Sequence, residues 1–179
     1  MPQHSLQYSS MSRRGLNMAQ HAFFLVIAMA MVMFSLAGTP SHAEENAKVK
    51  AAMEALKTAT GALGAPKLEG ENLFFGTTKI NENYAVVDGI KIKHGGTATL
   101  FAKKDAGFVR VSTNVMKDGK RAVGTVLDPA GPAIAAIKQG KPYYGIVDIL
   151  GKKYDTGYEP IMSASGDTVG VYYVGYMQE

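Results

Sequence analysis

Hydrophobic spacing along this chain changes from a helical period to a period of two, and the change divides it. Between Glu45 and Leu63 the apolar residues Val49, Met53, Leu56 and Leu63 recur on one helical face, leaving Lys48, Lys50 and Lys57 for water. The pattern predicts an amphipathic helix over 45–63, stopped by Gly61, Gly64 and Pro66. A connector from Lys67 to Asn83 contains Leu73-Phe74-Phe75-Gly76, too aromatic for a solvated linker, so it is expected to fold back over the domain. Val86 to Lys93 reads as a short helix ending at Gly95-Gly96.

From Thr97 onward apolar residues alternate, as they do along half-buried strands. Thr97–Lys103 and Phe108–Met116 read as two strands, followed by the Asp118-Gly119 turn signal and a short extended piece at Ala122–Leu127. Pro129–Gln139 is a short helix with Pro132 near its start and Gly140 at its end. Tyr143–Leu150, Tyr154–Met162 and Thr168–Met177 are three further strands. One long helix, short helices and five antiparallel strands make an α+β domain. The long helix covers one face of the sheet. The short helices and the aromatic connector are expected on the other, where incomplete filling leaves room for a small ligand.

Ahead of this domain, Arg13 and Arg14 precede the apolar run AFFLVIAMAMVMFSLAG, Ala22 to Gly38, and then Ser41-His42-Ala43. A basic start, an apolar middle and small residues before a cut describe a secretory signal peptide over 1–43, cleaved after Ala43. The domain then occupies 44–179, with its core over 70–177. The alternative is an uncleaved N-terminal membrane anchor, although the run is short for a full span of ~20 residues. Ser12-Arg13-Arg14 matches a twin-arginine signal only in part. The expected location is periplasmic or secreted.

The formal charge of +4 includes Arg13 and Arg14, so the exported part is close to neutral. No stretch clusters lysine and arginine with interleaved aromatics, which argues against nucleic acid. The chain has no cysteine, which excludes thiolate metal sites, c-type haem attachment and thiol nucleophiles. The fold must hold by packing alone. His94 is the one histidine after Ala43, Ser112 has no evident base, and no paired carboxylates or phosphate loop are present. The scattered Met53, Met116, Met162 and Met177 do not make a copper site. The expectation is a protein that is not an enzyme, with no catalytic residue, no metal and no cofactor.

Two features could carry binding. Strand alternation puts Val109, Val111, Thr113 and Val115 on one face and Phe108, Arg110, Ser112 and Asn114 on the other, predicted to be the ligand face. Arg110 interrupts an apolar strand, and its guanidinium needs an anionic partner. That partner is either a ligand carboxylate or an internal one, Asp148 or Glu159. Tyrosine is the second feature: Tyr143, Tyr144, Tyr154, Tyr158, Tyr172, Tyr173 and Tyr176 all fall in the last three strands. Tyrosine packs as a strand residue and also lines pockets with a hydroxyl. Alternation groups Tyr144 with Ile146 and Asp148, and Tyr154 with Thr156 and Tyr158. Asp148 would bind a cationic group, balance Arg110 or accept backbone hydrogen bonds.

Several ordered motifs carry a family resemblance. They are Phe108-Val109-Arg110-Val111-Ser112-Thr113-Asn114, Gly119-Lys120-Arg121-Ala122-Val123-Gly124-Thr125, and Leu127-Asp128-Pro129. Tyr143-Tyr144-Gly145, Val147-Asp148-Ile149-Leu150-Gly151-Lys152, Thr156-Gly157-Tyr158-Glu159-Pro160-Ile161 and Val174-Gly175-Tyr176 follow in order. Together they resemble the single-Cache sensor domains of bacterial chemoreceptors and sensor kinases, of the Cache 3/Cache 2 fusion type, from Leu73 to Tyr176. The resemblance implies a PAS-like five-stranded antiparallel sheet with a long N-terminal helix and a pocket for a small molecule, often a short carboxylate. It implies Arg110 as carboxylate anchor with Ser112, Tyr144 and Tyr158 beside it, and pairing of two copies through the long helix. Asp155 stands where the family more often has an apolar residue. Such domains are usually flanked by two membrane helices and joined to a signalling domain. Here the sequence ends two residues after Met177, so signal transduction or chemotaxis would need a membrane receptor or sensor kinase as partner. The expected function is an exported binding protein for a small organic anion. The alternative is a structural or protein-interaction module without free ligand, Arg110 being held in an internal salt bridge.

Overall fold

The computed structural model describes residues 41–178. The arginine pair and the apolar run of the expected leader lie outside them. Helix α1 (Ser41–Gly61) begins ahead of the predicted Glu45 and crosses the expected cut after Ala43. Val49, Ala52, Met53 and Leu56 are fully buried, as the helical stripe requires. The connector after α1 forms a small antiparallel sheet of β1 (Pro66–Glu69), β2 (Asn72–Phe75) and β3 (Thr78–Lys79). Leu73 and Phe75 alternate into the core. Gly76 closes this sheet onto the end of α1, with φ +58° and so little space that a Cβ would lie 2.2 Å from the Leu63 carbonyl oxygen.

Helix α2 (Ala85–His94) ends on Gly95 in the left-handed conformation, whose N–H donates to the Lys91 carbonyl. Next come β4 (Thr97–Lys104), β5 (Gly107–Thr113), the two-residue strands β6 (Met116–Lys117) and β7 (Lys120–Arg121), and helix α3 (Pro132–Ile137). The chain closes with β8 (Tyr143–Ile149), β9 (Lys152–Met162) and β10 (Thr168–Met177). Asp118 and Gly119, with φ +50° and +74°, make the tight turn their sequence predicts. The main sheet has the order β5-β4-β10-β9-β8 and is antiparallel throughout. The α+β architecture, with a five-stranded antiparallel sheet and a long N-terminal helix, is the one expected.

The distribution of covering elements differs from expectation. The connector sheet and α2 do not sit opposite α1. Leu73, Phe75, Val87 and Ile90 share one core with Val49, Met53, Leu56, Leu100, Val111, Tyr172 and Val174. An aromatic connector that is short relative to the sheet gains most by packing beside the helix it follows. The opposite face is therefore left to α3 and the loop before it. Its core contains Phe101, Phe108, Val115, Leu127, Ile134, Ile137, Tyr158, Val171 and Tyr173.

A bulge decides which side chains of β5 share that face. Leu100 pairs with Ser112, but the next residue, Phe101, pairs with Arg110, so Val111 is the extra residue. Before the bulge Arg110 lies with Phe101 on the α3 face. After it Ser112 and Asn114 point to the α1 and α2 face. The predicted grouping of Arg110 with Ser112 and Asn114, and of Val111 with Thr113 and Val115, is broken at this point. Simple alternation has no means of anticipating an inserted residue.

Candidate functional site

Arg110 is 5% exposed, and its guanidinium carbon lies 4.9 Å from the centre of the Phe101 ring. Its Nη1 donates to Thr125 Oγ1 at 2.7 Å. Its Nε has no partner, the one buried side-chain nitrogen or oxygen so placed among the described residues. A guanidinium carries five N–H donors, and no carboxylate of the described residues forms an ion pair with this one. Burial lowers its pKa from the ordinary guanidinium value, against an opposing field from the Tyr158 and Tyr173 oxygens.

Neither internal partner considered from sequence is available to it. Glu159 accepts from the Tyr144 hydroxyl at 2.5 Å and pairs with Lys57 at 2.9 Å. Asp148 accepts the Gly151 backbone N–H at 2.8 Å, capping the β8–β9 turn. The internal salt bridge on which the alternative reading rested is absent among the described residues.

The guanidinium lines a cavity of about 120 Å³ between the sheet and the segment leading into α3. Tyr158, Leu127, Asp128, Ala133, Val147, Asp148 and Ile149 contribute to its wall. The site is positioned by three local devices. The bulge aims Arg110 at the α3 face, and the backbone N–H of Arg110 donates to the Thr125 carbonyl, tying the loop to β5. Asp128 Oδ1 accepts the Ala130 N–H at 2.9 Å and turns the chain into α3, which starts at Pro132. Tyr158 is 1% exposed and packs at a tilt between Tyr173, at 5.0 Å between ring centres, and Tyr143, at 6.4 Å. Its pKa is raised by burial, partly offset by the Arg110 charge, so it meets a ligand as a neutral phenol.

Three of the five predicted site residues thus come together: Arg110, Tyr158 and, at the rim, Asp148. Ser112 does not join them. It is fully buried on the other face and donates to the Asn83 carbonyl at 2.6 Å. Tyr144 lies on that other face too, under the Lys50 ammonium and bonded to Glu159, with its pKa raised first by burial. The register separates the tyrosines: Tyr143, Tyr154, Tyr158 and Tyr173 belong to the Arg110 face, Tyr144, Tyr172 and Tyr176 to the α1 face.

Sequence reasoning missed Phe101, Thr125 and Asp128. Asp128 enters the sequence reading only through the Leu127-Asp128-Pro129 motif. Its position two residues after an extended stretch that crosses back over β5 carried no signal without the Val109–Val126 bridge. A larger and more open cleft of about 490 Å³ lies beyond Val126 and Leu127, with Phe108, Ile134 and Ile137 at its floor and Lys103, Lys104 and Lys138 around it. It holds no buried charge, and the orphaned guanidinium singles out the smaller cavity. Among the described residues no three His, Cys, Asp or Glu side chains are placed to hold a metal ion. No helix of these residues is long and apolar enough to cross a membrane.

The model of the Cache 3/Cache 2 fusion domain family matches residues 27–179. This chain belongs to that family. The match begins inside the apolar run, ahead of the domain start expected at Glu44. Cache domains are extracytoplasmic ligand-sensing modules rather than enzymes, and they signal through receptors or kinases. Among solved structures the Cache domain is similar to the sensor domain of E. coli DcuS, at 16% identity over 70% of this chain and 90% of that one, with a TM-score of 0.41. No curated protein matches it. In this Cache domain the cavity lies on the α3 face, the more thinly covered side of the sheet.

Proposed function

We propose that this Cache domain binds a short organic carboxylate in the α3-face cavity, with Arg110 as the anchor. The observation that carries the reading is the buried guanidinium: no carboxylate of the described residues pairs with it, and it borders an open space. Burial of an uncompensated charge costs several kcal/mol, and a carboxylate forking onto the guanidinium removes that cost. Tyr158 adds a ring with a neutral hydroxyl to the wall, and the guanidinium carbon lies over the Phe101 ring.

The protein acts outside the cytoplasm after cleavage of its leader at Ala43, and it presents the ligand state to a separate membrane receptor or sensor kinase. The basic start, apolar run and Ser41-His42-Ala43 support export. Pairing of two copies through α1, which the family resemblance implies, remains part of the same reading.

A thermal-shift screen of the purified protein against acetate, propionate, butyrate, amino acids and amines tests this, with Arg110→Ala in parallel. Ligand at a hundred times its dissociation constant should add about 2.7 kcal/mol of stability. A shift with carboxylates, lost in a folded Arg110→Ala, supports the reading. Absence of any carboxylate response in the wild type overturns it.

A further inference from the structure

We propose that this pocket selects monoanions, and that Asp128 at its mouth turns a second negative charge away. The inference rests on the carboxylate reading above and narrows its ligand class. The cavity wall contains one cation, Arg110, and two carboxylates, Asp128 and Asp148. One guanidinium satisfies one carboxylate through its planar fork. A second carboxylate on the same molecule finds no second cation in the wall.

The two acidic groups differ in weight. Asp148 is turned towards the Gly151 N–H, and Lys153 is its cross-strand partner, so part of its charge is offset. Asp128 has no lysine or arginine in an ion pair among the described residues. Its Oδ1 is held by the Ala130 N–H, and its Oδ2 lies against Gly131, where a Cβ would come within 3.1 Å. Gly131 also belongs to the cavity wall, so the carboxylate is fixed beside the space the ligand occupies. A cavity of about 120 Å³ holds several waters and is small for an organic ligand. A three- or four-carbon acid anchored at Arg110 therefore has its far end at the mouth. Two charges at ~8 Å with an effective dielectric constant of ~20 disfavour a diacid by about tenfold or more.

The test compares diacids with their half-amides, which match them in size and differ by one charge: malonate with malonamate, and succinate with succinamate. Calorimetric titration of the wild type and Asp128→Asn at neutral pH reads the affinity ratio. Asparagine retains an oxygen for the Ala130 N–H, so the turn is kept while the charge is removed. The expected result is at least tenfold preference for the half-amide in the wild type and collapse of that preference in Asp128→Asn. A diacid that binds the wild type as tightly as its half-amide overturns the inference and leaves the carboxylate reading standing. An undiminished preference in Asp128→Asn removes the role of Asp128. Binding of acetate or butyrate without either half-amide means that size closes the mouth, which overturns selection by charge. If no carboxylate of any kind binds, the reading of Arg110 fails as well. Should Asp128→Asn fail to fold, the wild-type ratios alone decide whether selection by charge exists.

Discussion

The guanidinium carbon of Arg110 lies over the ring of Phe101, its cross-strand partner, 4.9 Å from the ring centre, and no carboxylate of the described residues pairs with it. The stacking is worth about 0.5–2 kcal/mol, and the bond to Thr125 about 1–3 kcal/mol as a charge-assisted contact. Neither replaces the solvation lost at a side chain 5% exposed. The arrangement is stable only because the rest of the α3-face core is closed around it. A binding site has reason to keep such a charge, and a core does not.

Arg110→Met removes the charge while filling most of the volume. We expect a folded protein of equal stability, or one more stable by up to about 2 kcal/mol, because the uncompensated burial disappears. Carboxylate binding should be abolished. Thermal and urea melts check the first part and calorimetry the second. A loss of more than about 2 kcal/mol would show that the guanidinium is needed by the fold itself.

Ser112→Ala and Tyr144→Phe should behave in the opposite way. Ser112 bonds the Asn83 carbonyl, and Tyr144 bonds Glu159, both on the α1 face. Each substitution should cost about 1 kcal/mol through a lost hydrogen bond. Neither should change the affinity for a carboxylate more than twofold. A tenfold loss of affinity in either variant, without loss of folded protein, would place that residue in the site.

These contrasts mark what the sequence made legible. The period change after Gly96, the long helix and the strand order of turns could be read from spacing, because burial imposes those periods. Arg110 stood out because a charged residue in an apolar strand is costly wherever it points. The neighbours of Arg110 were not legible. They depend on one inserted residue, Val111, and on a connector that chose the α1 face over the α3 face. Both are outcomes of tertiary packing, and periodicity is blind to them. Tyr158 was found because β9 runs without interruption from Tyr154 through Tyr158, so alternation holds there.

Leu150 is a strained residue at the cavity mouth. It has φ +55° in the β8–β9 turn, is 43% exposed and is followed by Gly151 at φ +84°. Two consecutive positive φ values suit Asn-Gly, and a left-handed leucine costs about 1–2 kcal/mol. Leu150→Asn should therefore raise stability by about 0.5–1 kcal/mol in a thermal melt. If leucine is kept for its contact with the ligand, the same variant should bind carboxylates more weakly. An unchanged or lowered melting temperature would show that the leucine side chain offsets the backbone strain in the unliganded protein.

Alkaline pH should unfold this domain through its tyrosines. Tyr144, Tyr158, Tyr172, Tyr173 and Tyr176 all have pKa values raised above 10.0, with burial the first cause in each. Lys57 is raised above 10.5, chiefly by its hydrogen bond to Glu159. For a phenol the folded state keeps a proton that the unfolded chain releases, so stability is full below pH 10 and falls as pH rises past it. Lys57 acts in the same direction from pH 10.5 upward, its stabilising charge being lost above its folded value. Arg110 has the opposite sign, since burial lowers its value and lets the folded state shed the buried charge before the unfolded chain does. The five tyrosines outnumber it. A titration above pH 10 should show tyrosinate absorbance from the buried rings rising together with loss of circular dichroism. Complete ionisation of all tyrosines before any loss of structure would contradict the burial of Tyr158 and Tyr173 on the Arg110 face.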